Sequence, residues 1–257
     1  MKIKLYIVTY NNAKDLNTTL DSIFKSDIKN YNCEINIINN HSNFHLNEEF
    51  IHKVKILHNV LRPDSSTGYL TRNWNQALLL GFKDLNKPDC DIVVACQDDT
   101  VFYANWIKNT IELHKKYSFI TYGWGDNFMS WTPSGVKRIG LWDESFQMVG
   151  HTSDYFLRAL IYNKEKSSIN DYHHKRLLNV EKLKIADRLG LVKEHQLERK
   201  FNAPYGLKMI KRKWGKINGC SETLTKWTPN LINNAYKIRP KCSNIIMYPF
   251  FEKNIKT

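Results

Sequence analysis

The sequence has no long hydrophobic run. No stretch of about 18 apolar residues occurs, so it offers no candidate membrane-spanning helix. The opening MKIKLYIVTYNNAKDL turns polar at Asn11 and Asn12 before a secretory apolar core can build, so no signal peptide is expected. Cysteine is sparse and unpatterned. The five residues (Cys33, Cys90, Cys96, Cys220 and Cys242) are odd in number and lack metal-ligand spacing. That argues against a disulfide scaffold or a zinc module and for reduced thiols in a cytoplasmic protein. Glycine is missing where a nucleotidylyltransferase needs it. The loop after the first apolar run reads TYNNAK, without that class's Gly-rich, Arg/Lys-containing loop. Internal repeats and low-complexity tracts are absent as well.

Acidic residues are outnumbered, 25 Asp and Glu against 38 Lys and Arg, for a formal charge of +13. Nucleic acid, an anionic membrane surface or a phosphorylated substrate suits that charge, and so do plain solvated lysine faces. The densest cluster, Lys208, Lys211, Arg212, Lys213 and Lys216 around Trp214, fits an exposed helix or peripheral contact with lipid headgroups. With 42% hydrophobic residues the chain can build a core, which excludes wholesale disorder.

What is present is an alternation of short apolar runs and amphipathic stretches. Residues 3–9 (IKLYIVT), 33–38 (CEINII), 54–58 (VKILH), 91–96 (DIVVAC) and 119–122 predict strands. Helices are expected over Asp15–Lys25, Gly68–Phe82 and Ala104–Lys116. This order predicts an α/β domain with a mostly parallel sheet, which binds ligands beyond the carboxyl ends of its strands. Three of those ends carry polar clusters: Thr9 to Asn12, Asn39 to Ser42, and Gln97 to Thr100. Residues 124–148 read as loops and irregular strands, with Trp124, Trp131 and Trp142 among them. The stretch from Ser153 and the charged segment 170–200 read as helical. Beyond Phe201, prolines suggest short pieces.

The adjacent carboxylates Asp98 and Asp99 repel each other unless a cation or donor lies between them. A hard divalent ion meets that need, and so does an ordinary turn or helix cap. Alignment with two other polar strand ends favours the ion.

Five segments then resemble, in order, the family 2 glycosyltransferases. They are LYIVTYNNAKDLNTTLDSIF, IINNHSN, LTRNWNQALLLGF, VVACQDDTVFYANW and IGLWDESFQMVGHTSDYFLRAL. The resemblance covers roughly residues 1–160 and implies the GT-A fold, a Rossmann-like sheet flanked by helices. Residues 1–160 would form the nucleotide-sugar-binding domain, and 161–257 a helical or irregular extension packed on it. It implies a soluble, cytoplasmic enzyme that moves a sugar from a nucleoside-diphosphate-sugar to a glycan or lipid-linked acceptor hydroxyl, with inversion and with Mn2+ or Mg2+. No nucleic-acid partner is expected.

Residue by residue, the resemblance places Thr9, Tyr10 and Asn11 in the nucleotide pocket, with Asn39 toward the base. Arg72 would approach the ribose or diphosphate. Asp99 would hold the metal, and Asp98 the ribose or a metal-bound water. At the position of the general base the register puts Thr152, which cannot act as one near neutral pH. Asp154 is the preferred substitute and His151 the second, with Asp143 and Glu144 more suited to holding the acceptor. The departures at Gln97, Asn39 and Thr152, each where the family has an acid, mark an atypical sequence.

Overall fold

The structure is a computed structural model that describes residues 1–59, 70–146, 149–190 and 193–243, excepting the side chains of 193–202. Gly68 and Tyr69, expected to open the second helix, lie outside the described residues.

The strands are β1 (Lys2–Thr9), β2 (Asn32–Asn39), β3 (Lys55–His58), β4 (Ile92–Gln97), β5 (Thr100–Phe102), β6 (Phe119–Gly123), β7 (Phe128–Trp131), β8 (Ser167–Asp171), β9 (Arg176–Leu178) and β10 (Ala186–Arg188). The helices are α1 (Ala13–Phe24), α2 (Glu48–Ile51), α3 (Leu70–Phe82), α4 (Trp106–His114), α5 (Pro133–Ile139), α6 (His151–Asn163), α7 (Lys193–Trp214) and α8 (Pro229–Asn234). Among the described residues eight strands form one sheet in the order β3-β2-β1-β4-β7-β6-β8-β9, and β10 pairs with β5 separately. β3, β2, β1 and β4 run parallel, as do β6 and β8, whereas β7 is antiparallel to both of its neighbours.

Both faces of the sheet are covered, which is why β1 and β4 read as continuous apolar runs. Side chains alternate between the faces. Leu5 and Ile7 of β1, with Val94 and Cys96 of β4, pack beneath Leu16, Leu20 and Trp106. Tyr6 and Val8, with Val93 and Ala95, join Trp74, Leu78 and Phe156 on the other side. The helix α3 can lie this close because residue 81 is glycine: a Cβ there would fall 2.3 Å from Val93 Cγ2.

The elements of the second half differ from the sequence reading. Segment 170–200 is not one helical stretch, because β8, β9 and β10 come first and α7 begins only at Lys193. Pairing with distant strands overrides local composition here, and a strand of three residues is too short to show a period. The boundary expected at residue 160 falls inside α6, and β8 and β9 extend the same sheet beyond it. Past Phe201 the helix continues through Pro204 to Trp214. Its basic end is not uniformly exposed either. Lys213 and Trp214 are buried, which removes the indole from any lipid-facing role, while Lys208, Lys211, Arg212 and Lys216 remain at the surface.

Candidate active site

At the carboxyl ends of the parallel strands, Thr9 pairs with Asn39 across β1 and β2, and Val8 pairs with Gln97 of β4. Asp98 turns back toward β1. Its Oδ2 accepts from Thr9 Oγ1 at 2.7 Å, and its carbonyl accepts from Thr19 Oγ1 at 2.6 Å. Burial pushes the Asp98 carboxyl up; the Thr9 hydrogen bond opposes this and the Asp99 charge adds to it, leaving it at about 7. Asn39 is buried, and its amide shapes the following loop, with Nδ2 donating to the His41 carbonyl at 2.7 Å and Oδ1 accepting from His41 N at 3.1 Å. The Tyr10 ring meets His41 edge-on with centroids 4.9 Å apart, and Asn11 adopts a left-handed φ of 47°. Arg72 of α3 reaches Glu144, Nε to Oε2 at 3.3 Å.

The other side of the Gln97–Asp99 turn faces a different set of groups. Asp99 Oδ1 accepts from Asn127 Nδ2 at 3.1 Å, and Oδ2 accepts from Arg188 Nε at 2.6 Å. Gln97 Nε2 donates to Asp126 Oδ1 at 2.9 Å. Asp126 Oδ2 takes the Trp74 indole N–H at 3.0 Å and lies 2.8 Å from His151 Nε2. Burial alone raises the Asp126 carboxyl, but the His151 ring and the other donors around it bring it down to about 2. His151 is buried at the first turn of α6, behind Gly150, whose φ of 89° suits glycine. Its Nδ1 has no hydrogen-bond partner among the described residues.

Gln97, Asp126, His151 and Arg188 all line one cavity of about 330 Å³, together with Trp124, Thr152, His173 and His174. Of the sequence-predicted site residues, only His151 lies on its wall. Thr9, Tyr10, Asn11, Asn39 and Asp98 lie outside it at the strand ends, Arg72 lies outside it on α3, and Asp99 meets it through Arg188. Trp124 is 42% exposed on the cavity wall and stacks on His173. Trp131 and Trp142 are core residues, Trp142 stacked on Tyr155 at 4.0 Å, so neither offers a face to a ligand.

No family model matches the chain, and no curated protein sequence does. Solved structures do match. A mannosyltransferase from Pyrobaculum calidifontis, in complex with GDP-Man and Mn2+, superposes at TM-score 0.53 and 11% identity, over 99% of this chain and 72% of that one. S. aureus TarS 1–349 does so at TM-score 0.51 and 12% identity, over 92% of this chain and 71% of that one. The fold is GT-A. The chain spans only 40% of a longer TarS chain.

Within this GT-A domain Asp154, the sequence's first choice for the base, is not on the cavity wall. It is 1% exposed and enclosed by donors. Oδ1 accepts from Trp214 Nε1 at 2.8 Å and Lys213 Nζ at 2.7 Å, and Oδ2 from Arg158 Nε at 3.0 Å. Burial raises its carboxyl, but Lys213 and Arg158 outweigh that and hold it below the usual range. A carboxylate so held is a weak proton acceptor. Asp143 and Glu144 are also buried, Asp143 on Lys213 at 2.8 Å and Glu144 on Asn75 at 2.9 Å. Their place is in the packing of α3 and α7.

A GT-A site commonly implies a divalent ion, and Asp99 is where the sequence puts one. A hard cation requires oxygen ligands with lone pairs to give. Both Asp99 oxygens already accept hydrogen bonds, one from a guanidinium, and Gln97 Oε1 faces Arg188 Nη2 at 3.4 Å. Among the described residues no group of three or more His, Cys, Asp or Glu could hold a metal ion. This arrangement does not fit Mn2+ or Mg2+.

Sequence reasoning missed Asp126 and Arg188. Asp126 lies in a Trp-Gly-Asp-Asn turn that carries only a loop signal. Arg188 lies on β10, whose pairing with β5 has no local signature.

Proposed function

We propose that the chain is a glycosyltransferase that moves a sugar from a nucleoside-diphosphate-sugar to an acceptor hydroxyl, with inversion at the anomeric carbon, in the building of a glycan or lipid-linked saccharide. The observation that carries this reading is the Asp126–His151 pair on the cavity wall, beside the polar strand ends of a GT-A sheet.

The nucleotide occupies the crevice at Thr9, Tyr10, Asn11, Asn39, Arg72 and Asp98, and the sugar reaches past Gln97 into the cavity. His151 Nδ1 takes the proton of the acceptor hydroxyl. The acceptor oxygen bonds the anomeric carbon while the bond from that carbon to the diphosphate oxygen breaks, its electron pair leaving with the diphosphate. Asp126 holds the Nε2–H tautomer that leaves Nδ1 as the acceptor atom, as a carboxylate does for a catalytic histidine. Trp124 offers an apolar face to a sugar ring, and the exposed Lys208, Lys211, Arg212 and Lys216 suit an anionic lipid surface beside a lipid-linked acceptor.

The test is thermal unfolding of the protein with UDP, GDP or a polynucleotide. Stabilisation by one nucleoside diphosphate supports the reading; stabilisation by polynucleotide alone overturns it.

A further inference from the structure

Resting on the nucleotide-sugar reading, we infer that Arg188 binds the donor diphosphate and supplies the positive charge for its departure without a divalent ion.

Arg188 is held on both sides by backbone. β10 pairs antiparallel with β5 so that Arg188 faces Thr100, and Leu189 N donates to the Asp99 carbonyl at 2.8 Å. The strand therefore delivers the guanidinium to the end of β4, where the diphosphate of a GT-A donor must lie. Its side chain is 11% exposed and lines the cavity. Bonds to Asp99 Oδ2 and Gln97 Oε1 orient it, and a guanidinium has more N–H donors than those two bonds use. The remaining edge matches the paired oxygens of a phosphate, the geometry for which arginine is suited.

Charge accounting points the same way. Asp99 is already neutralised by a contact of 2.6 Å, so the pair offers no net negative charge to attract a second cation. A divalent ion on Asp99 would sit against a like-charged guanidinium in a partly desolvated site, where repulsion is screened little. A diphosphate arriving there meets a cation already in place, which needs no reorganisation as charge builds on the leaving oxygen. Asp99 is on this account a positioning residue for Arg188.

The experiment is calorimetric titration of the full chain with UDP and with GDP, once in EDTA and once in MnCl2. Wild type, Arg188→Lys and Arg188→Ala are compared, and far-ultraviolet circular dichroism confirms that each is folded. The expected result is that one nucleoside diphosphate binds wild type in EDTA within about threefold of its affinity in Mn2+. Arg188→Ala should weaken it about tenfold or more, and Arg188→Lys less, because the charge is kept and the fork is lost. Binding that requires Mn2+ in the wild type, or that Arg188→Ala and Arg188→Lys both leave unchanged, overturns the inference and leaves the nucleotide reading intact. If neither nucleotide binds in either buffer, the nucleotide-sugar reading itself fails. The wild-type comparison needs no variant, so instability of Arg188→Ala cannot obscure the answer.

Discussion

His151 Nε2 lies 2.8 Å from Asp126 Oδ2, and the same carboxylate also takes the Trp74 indole N–H and the Gln97 amide. Three elements thus converge on Asp126, and through it on one imidazole whose second nitrogen is buried without a hydrogen-bond partner among the described residues. His151→Ala is expected to lower kcat by about 10²–10⁴, the usual worth of a positioned general base. Nucleoside diphosphate affinity should change by less than about threefold. Steady-state kinetics with a calorimetric check on binding separates the two. An equal loss in both would place His151 in binding rather than proton transfer.

Asp154→Asn tests the residue the sequence puts first for the base. Removing one charge from a buried cluster with Lys213 and Arg158 costs roughly 3–5 kcal/mol. Differential scanning calorimetry should show Tm falling by more than about 6 °C. Folded protein should keep kcat within about tenfold of wild type. An unchanged Tm with kcat abolished would restore Asp154 as the base.

Asp98 makes stability depend on pH in a defined sense. Its folded carboxyl is raised from 3.8 to about 7. Between those values the native state holds a proton that the unfolded chain releases. Stability is therefore greatest below the unfolded value and is lost as pH rises toward 7. Asp98→Asn removes that titration, so relative to wild type it should be more stable at pH 8 than at pH 5. Denaturant midpoints at the two pH values measure this, and an equal offset at both would contradict the assignment.

Gly206 and Gly81 both sit at close helix contacts, but with different neighbours. A Cβ on Gly206 would fall 2.3 Å from the Val149 carbonyl oxygen, which cannot rotate away; one on Gly81 would fall 2.3 Å from a Val93 methyl, a side-chain atom, with the Tyr6 ring next at 3.5 Å. Gly206→Ala should cost about 1–3 kcal/mol by overpacking. It should also shift the chain at Val149–Gly150, ahead of His151, and so lower kcat. Gly81→Ala should cost less and leave kcat unchanged. Urea unfolding of the two variants orders them.

The first half of the fold was legible because its strands are buried on both faces and announce themselves as apolar runs ending in polar clusters. The rule about strand ends needs only local pattern, and Thr9, Asn39 and Asp98 do lie at the carboxyl ends of β1, β2 and β4. Arg188 has no such local pattern, because β10 is three residues long and its partner β5 lies in the first half of the chain. Asp154 shows the opposite case. It lies two residues past the base position that the resemblance implies, while the indole that encloses it comes from a residue sixty positions later. His151 and Asp154 flank the position that the register gives to Thr152, and of the two only His151 lines the cavity.

The most direct test of the account is release of nucleoside diphosphate from a panel of UDP- and GDP-sugars, followed by coupled assay with wild type and His151→Ala. The account predicts that wild type consumes one donor and releases its nucleoside diphosphate, and that His151→Ala slows this by about a hundredfold or more. Release at the same rate from both proteins, or from no donor while polynucleotide binds, would contradict it.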